Sequence, residues 1–327
     1  IAAALSEIVT KRPEVTFREL FRSGREIGYD IMGTMINVLL FVFGCGLIPM
    51  CVIRMNNSVR FMTIIKLHIP CELCRFFIES IGIVLAIPVS IMIIGGDRGV
   101  ISLISLVGNM LLLSLAIWLM AAGAPVLLVT VGVGIIISCV TLFYQNGTNE
   151  KTKSAFTAVL ITMAVLFFFI YMVVWRSEAG GLNEIQAAED DVLYYNMNLD
   201  INMRNVATAV IILSTLGAVL DMALTVTTSV YEISIHKPEM KLTELVESGM
   251  QIGREVIGTT VNTLLFAYLG ESLLLFSYLK MQDYTLETLL NSKILFQNCV
   301  SMIFGAIACV VVMPVAAVLV GKRINIV

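Results

Sequence analysis

The chain has 327 residues, 58% of them hydrophobic and only 14% charged, with a formal net charge of −3 and a mean hydropathy of +0.93. A soluble domain carries about a quarter charged residues, so the solvent for most of this chain is lipid. The near-neutral charge and the lack of a basic run speak against nucleic acid as a partner.

The sequence opens at Ile1 inside a helix-like stretch, without the pattern of a secretory signal. It reads as the C-terminal part of a longer protein, or as a portion of one. A bilayer core of about 30 Å needs roughly 20 mostly apolar residues. By that measure residues 1–9 are the tail of one span. Further spans follow near 29–53, 73–95, 99–121, 124–144, 154–175, 206–232, 256–279 and 295–320. The apolar runs are continuous rather than alternating, which favours helices over a barrel. The expected fold is an all-α integral membrane protein with about eight transmembrane helices plus a partial first one.

Lys and Arg set the orientation. Lys11, Arg12, Arg18, Arg22 and Arg25, then Lys151 and Lys153, then Lys322 and Arg323 all fall on one side of these spans. That side is expected to be cytoplasmic, which puts the C-terminus there in a multi-pass protein of the bacterial plasma membrane. The acidic loop 176–205 then lies outside. Loop 54–72, with Arg54, Arg60 and Lys66, argues the other way.

An internal repeat organises the chain. "EIVTKRPEVTFRELFRSGREIGYDIMGTMINVLLF" (7–41) aligns without gaps with "EISIHKPEMKLTELVESGMQIGREVIGTTVNTLLF" (232–266), with about 16 of 35 positions identical. Membrane composition alone produces shared Leu and Val. It does not produce matched Pro13/Pro238, Glu19/Glu244 and Asn37/Asn262. An even number of spans separates the copies, so they run parallel and are expected to enclose a site near the midplane. Residues 1–96 form the last part of a first repeat and 97–327 a complete second one with six spans. The counterpart of Asp221 falls a few residues before Ile1.

Each copy begins with a short amphipathic helix on the cytoplasmic side. Phe17, Leu20, Phe21, Gly24 and Ile27 share one face, as do Leu242, Leu245, Val246, Gly249 and Ile252. Such a helix lies in the headgroup region or packs as a connector against the bundle. Thr16 and Glu19 form a capping box in the first copy; Lys241 takes the cap position in the second. Gly24, Gly28 and Gly33, and likewise Gly249, Gly253 and Gly258, are spaced for close helix approach. Asn37 and Asn262 follow four residues after the last glycine.

The sharpest candidate is Asp221 in "TLGAVLDMALTVTTSVYEI". Gly217, Asp221, Thr225, Thr228 and Glu232 form one polar stripe along a helix that is apolar elsewhere. An Asp at a helix centre costs about 2.5–3.5 kcal/mol on insertion scales, and this one is about 11 residues, or ~16 Å, from Glu232. A carboxylate that gains and loses a proton while buried is a proton or cation carrier. The alternative is a structural hydrogen bond from a neutral Asp221 to Asn262 or a threonine. Under the first reading Thr225, Thr228, Glu232, Asn262, Thr259 and Asn37 support the site.

The run "GAVLD", "YEI", "KPE", "SGMQIGREVIGTTVNTLLFAYLG" resembles the YibE/F-like family of bacterial multispanning proteins. The resemblance covers nearly all of 97–280, including "GDRGVISLISL" and the "GAPVL" turn. Residues 1–55 resemble the end of a second copy, as in a YibE-like and a YibF-like unit in tandem. Val38 stands where Thr263 stands, and "FGCG" replaces "AYLG". The resemblance names no substrate. A more distant similarity is to the membrane halves of the RND superfamily, such as the export subunits SecD and SecF. It implies an RND-like half architecture and, at Asp221, a part in proton coupling. Those proteins carry a large external domain after their first span; here the turn near 122–125 is minimal.

Most of the seven cysteines fall inside spans, where Cys packs as a small apolar residue. In "HIPCELC", His68, Cys71 and Cys74 are a weak candidate for a metal or redox site, since a second pair is lacking. No Walker loop or G-x-S-x-G occurs, so an ATPase or hydrolase is not expected and no cofactor is called for. The reading is a transporter or export permease. The alternative is a non-transporting scaffold, or a partner subunit of a larger membrane complex. Partners are the lipid bilayer, a membrane or extracytoplasmic protein, and further subunits of a homo- or hetero-oligomer.

Overall fold

The computed structural model describes residues 1–46, 48, 51–52, 96–177, 202–281, 285, 287, 291 and 293–324. The span expected at 73–95, the "HIPCELC" motif with His68, Cys71 and Cys74, and most of loop 176–205 lie outside these residues. Among the described residues every regular element is a helix. In chain order they are α1 (Ala2–Lys11), α2 (Phe17–Gly46), α3 (Gly96–Ala121) and α4 (Val126–Cys139), which runs into a π-helical turn (Val140–Tyr144). Then come α5 (Glu150–Arg176), α6 (Met203–His236), α7 (Leu242–Met281) and α8 (Lys293–Ile324).

Five of these are long and apolar enough to cross a membrane: α3, α4 with its π turn, α5, α6 and α8. Local chemistry explains their ends. The tight α3–α4 connection has Gly123 at φ 90° and Pro125 at the start of α4, a left-handed step and a fixed φ that stop one helix and start the next. Asn149 opens α5 through a reciprocal capping box with Thr152, whose Oγ1 accepts from the Asn149 amide at 2.9 Å. Asn202 opens α6 by accepting from the amides of Arg204 and Asn205.

The capping box expected at the start of α2 is present. The Thr16 amide donates to Glu19 Oε2 at 3.0 Å, and the Glu19 amide donates to Thr16 Oγ1 at 3.4 Å. The separate short amphipathic helices are not. Each is the opening of one continuous helix, of 30 residues in α2 and 40 in α7. The reason is local: a glycine inside a helix costs only about 1 kcal/mol, and no proline interrupts either stretch. At 1.5 Å per residue α7 is about 60 Å long, twice a bilayer core.

The bundle is built around α6, which packs on α8, α2 and α5 and also touches α7, α4 and α1. Its most apolar window is 89% buried, against 33–50% for the other four candidate spans. Those four present large apolar side chains outward, among them Leu111, Leu128, Phe168 and Trp175, as a lipid-facing ring must. The helix carrying Asp221 is therefore the central one.

Candidate functional site in the central helix

Asp221 lies midway along α6. One turn before it, Gly217 lets α2 come very close: a Cβ there would meet Phe41 Cδ2 at 2.9 Å and Val38 Cα at 3.0 Å. That approach brings Thr34 of α2 within reach, and its hydroxyl donates to Asp221 Oδ1 at 2.9 Å. The same hydroxyl lies 2.7 Å from the Ile31 carbonyl. One hydroxyl proton thus has two acceptors. With Asp221 ionised, Thr34 donates to the carboxylate. With Asp221 protonated, Thr34 can donate to Ile31 and accept from the acid. Both charge states find a partner without rearrangement of the backbone. Asp221 itself is only partly buried, between the buried Leu220 and Met222.

Towards the basic ends of the helices the polar stripe continues, as α2 and α6 run antiparallel. Thr225 and Thr228 are buried, and Thr228 Oγ1 donates to Asp30 Oδ2 at 3.4 Å. Asp30, 3% exposed, pairs with Lys151 at the start of α5 and lies 3.6 Å from Arg98 of α3. Arg98 also pairs with Glu26 at 2.9 Å and lies over the Tyr29 ring. Lys151 in turn lies over the ring of Tyr231. A buried carboxylate is tolerated where cations compensate it, and two helices supply them here. Glu232 lies a further turn along α6 and is buried; nearby, Ser23 of α2 lies 2.8 Å from His236 Nε2.

In the other direction Asn37 enters a second polar cluster. Asn109 of α3 donates to Asn37 Oδ1 at 3.1 Å and to Thr141 Oγ1 at 3.0 Å, and Asn37 lies 3.3 Å from Thr141. Thr141 belongs to the π-helical turn, a geometry frequent at functional sites. Ser105 Oγ and Asn109 Oδ1 are buried beside it without a hydrogen-bond partner among the described residues.

The expected stripe of Asp221, Thr225, Thr228 and Glu232 is thus assembled, but it is completed from a different helix. Asp221 is bonded by Thr34 of α2. Asn262 and Thr259 lie on an exposed face of α7, and Thr259 donates to the Val256 carbonyl instead. The glycines divide as well. Gly249 approaches Ala317 and Val230, Gly253 approaches Met313, and Gly24 and Gly28 approach Leu5 and Ile1, whereas a Cβ on Gly258 would meet nothing within 4 Å. Gly33 lies within α2. Sequence reasoning missed Thr34, Asp30, Lys151, Arg98, Asn109 and Thr141. A signal existed: Glu26, Asp30, Thr34 and Asn37 recur at helical spacing along α2. Among the described residues no group of three His, Cys, Asp or Glu side chains could hold a metal ion.

A family model described as YibE/F-like protein matches the chain twice, at residues 1–95 and 89–325. No curated protein and no solved structure matches it.

Proposed function

We propose, for a chain that belongs to the YibE/F-like family, that it is an integral membrane transporter or export permease coupled to proton or cation movement through Asp221. It lies in the bacterial plasma membrane with its C-terminus and basic segments cytoplasmic. Residues 1–96 and 97–327 are parallel repeats with an RND-like arrangement. One observation carries the reading: a carboxyl in the central helix whose hydrogen-bond partner, Thr34, serves both its charged and its neutral form. From it the stripe of Thr225, Thr228, Asp30 and Glu26 leads to Arg98 and Lys151 at the cytoplasmic edge. Moving one elementary charge through 100 mV is worth about 2.3 kcal/mol, enough to bias two packings of such a bundle.

Proton flux into proteoliposomes carrying the purified protein tests it. Asp221→Asn keeps the shape and the Thr34 contact but cannot release a proton. It should reduce flux to the level of empty vesicles while leaving expression and thermal unfolding unchanged. Undiminished flux removes Asp221 from the mechanism. If the wild-type protein shows no flux under a gradient of either sign, the scaffold reading takes its place.

A further inference from the structure

Buried polar groups in a folded protein have partners, and lipid supplies none. Among the described residues five buried side-chain polar atoms lack a hydrogen-bond partner, and four of these belong to Ser105, Asn109 and Gln145. They are Ser105 Oγ, Asn109 Oδ1 and both amide atoms of Gln145. Ser105 and Asn109 are one turn apart on α3, and Gln145 closes the π-helical turn one turn beyond Thr141. Unpaired groups gathered in one place mark a site rather than scattered faults of packing.

Two layers of contacts locate that place. In one, Asn37, Asn109 and Thr141 meet. In the other, towards the basic ends of the helices, Asp30 meets Arg98 and Lys151. Along α2, along α3, and between Thr141 and Lys151, the residues Thr34, Ser105 and Gln145 lie between these layers. Theirs is the layer in which Thr34 donates to Asp221 at 2.9 Å.

The chemistry of the unpaired groups selects the occupant. The Asn109 amide nitrogen donates to both Asn37 and Thr141, so its oxygen is turned away from them and can only accept. Thr141 Oγ1 receives two N–H groups. Thr130 and Ser138 donate to the carbonyls of Val126 and Gly134, whereas Thr141 donates no hydrogen bond among the described residues. Its hydroxyl hydrogen, the Ser105 hydroxyl and the Gln145 amide are therefore available as donors. A site with donors and acceptors together, and with no charged side chain among them, suits water rather than a cation or an anion.

We propose that Ser105, Asn109, Thr141 and Gln145 bind water inside the membrane, and that this water extends through their layer to Asp221 and joins it to the basic end of the bundle. Gln145, the least buried of the four at 8% exposure, is the point of entry. A buried water makes about three hydrogen bonds, and the Asn109 oxygen, the Ser105 hydroxyl and the Thr141 hydrogen provide them. The inference gives the proton carrier proposed above a route of supply, but the water site stands without transport.

Water-edited solid-state NMR of the full-length protein in proteoliposomes tests this. Magnetisation passes from mobile water to the side-chain amides of Asn109 and Gln145 and to the Asp221 carboxyl. The backbone of Ala158 and Val159, fully buried in α5, is the dry reference. The expected result is build-up several-fold faster at all three side chains than at the reference. Ser105→Ala combined with Gln145→Met removes the polar groups at nearly constant volume and should slow transfer at Asn109 and Asp221 to the reference rate. Build-up at the reference rate in the wild-type protein overturns the proposal. So does fast transfer to Asp221 that persists in the double variant, since water would then arrive by another path. Where the double variant fails to assemble, Ser105→Ala alone should slow transfer at Asn109, and an unchanged rate there counts against the site. No flux enters the measurement, so failure of the transport reading leaves this result intact.

Discussion

A Cβ on Gly217 would lie 3.0 Å from the Cα of Val38, so α6 and α2 meet nearly backbone to backbone one turn before Asp221. Neither helix can give way by a side-chain rotation at that contact. Gly217→Ala should therefore destabilise the fold by about 1–3 kcal/mol, as overpacked cores do, although Ala is the better helix former by about 1 kcal/mol. Thermal unfolding in detergent reads this directly. The same substitution should part Thr34 from Asp221 and lower proton flux. Thr34→Val removes the hydroxyl at nearly constant volume and leaves an ionised Asp221 without its donor, a loss of about 1.5–3 kcal/mol. Thr34→Ser should restore flux. If Thr34→Val has wild-type flux, the hydroxyl has no part in the carboxyl's chemistry.

Much of the fold could be read from the sequence because lipid imposes few solutions. The positions of α3 to α6 and α8 followed from apolar length alone, and the Thr16–Glu19 cap from local chemistry. What could not be read was which helix faces which. Asp221 and Asn262 lie on successive helices and look like natural partners, but the near-absence of a side chain at Gly217 lets α2, far away in sequence, take that place. Gly217 was visible as part of the stripe; its role depends on Val38 and Phe41 being opposite, which periodicity does not reveal. Lys151 likewise marked only the sidedness of a loop. Its pairing with Asp30 joins residues 121 positions apart.

The Asp30–Lys151 pair should behave asymmetrically. Both side chains are nearly buried, at 4% and 10% exposure, and breaking a buried pair from one side costs about 3–5 kcal/mol because a charge is left behind. Asp30, however, keeps Arg98 at 3.6 Å when Lys151 is removed, whereas Lys151 has no second carboxylate among its ion pairs at the described residues. Asp30→Leu should thus destabilise more than Lys151→Met. The double variant should recover most of the loss, since an apolar pair of similar volume replaces a buried ionic one at little cost. A double-mutant cycle on unfolding free energies checks this; additive losses would show that the pair is not coupled.

The start of α2 should loosen in acid. Glu19 is held below the usual carboxylate range, first by the Thr16 backbone N–H and then by the Thr16 hydroxyl. A carboxylate depressed on folding stabilises the structure above its unfolded pKa, about 4.3, and that contribution is lost as pH falls through the lower folded value. Protection factors at the amides of Glu19 and Leu20, with the pH dependence of intrinsic exchange divided out, should fall over that range. In Glu19→Gln the protection should be lower at neutral pH and nearly independent of pH. The opening of α7, where Lys241 offers no capping hydroxyl, provides the comparison within the same molecule.

The two glycines that seat α7 on its neighbours should differ in tolerance. A Cβ on Gly249 would meet Val230 Cγ2 at 2.8 Å and Ala317 Cβ at 2.9 Å, while one on Gly253 would meet Met313 Sδ and its neighbouring carbon. The second clash is the more severe on paper but the easier to relieve. Met has three rotatable bonds and fills gaps adaptably, whereas Ala317 has no rotamer and Val230 is stiff at χ1. Relief at Gly249 therefore requires α7 to move away from α6 and α8 as a unit. Gly249→Ala should destabilise by about 1–3 kcal/mol. Gly253→Ala should cost less, because the gain in helix propensity of about 1 kcal/mol offsets a side chain that can turn aside. Unfolding midpoints of the two variants in one detergent decide the order. The reverse order would mean that Met313 is locked by its surroundings and that α7 is held more tightly at Gly253 than at Gly249.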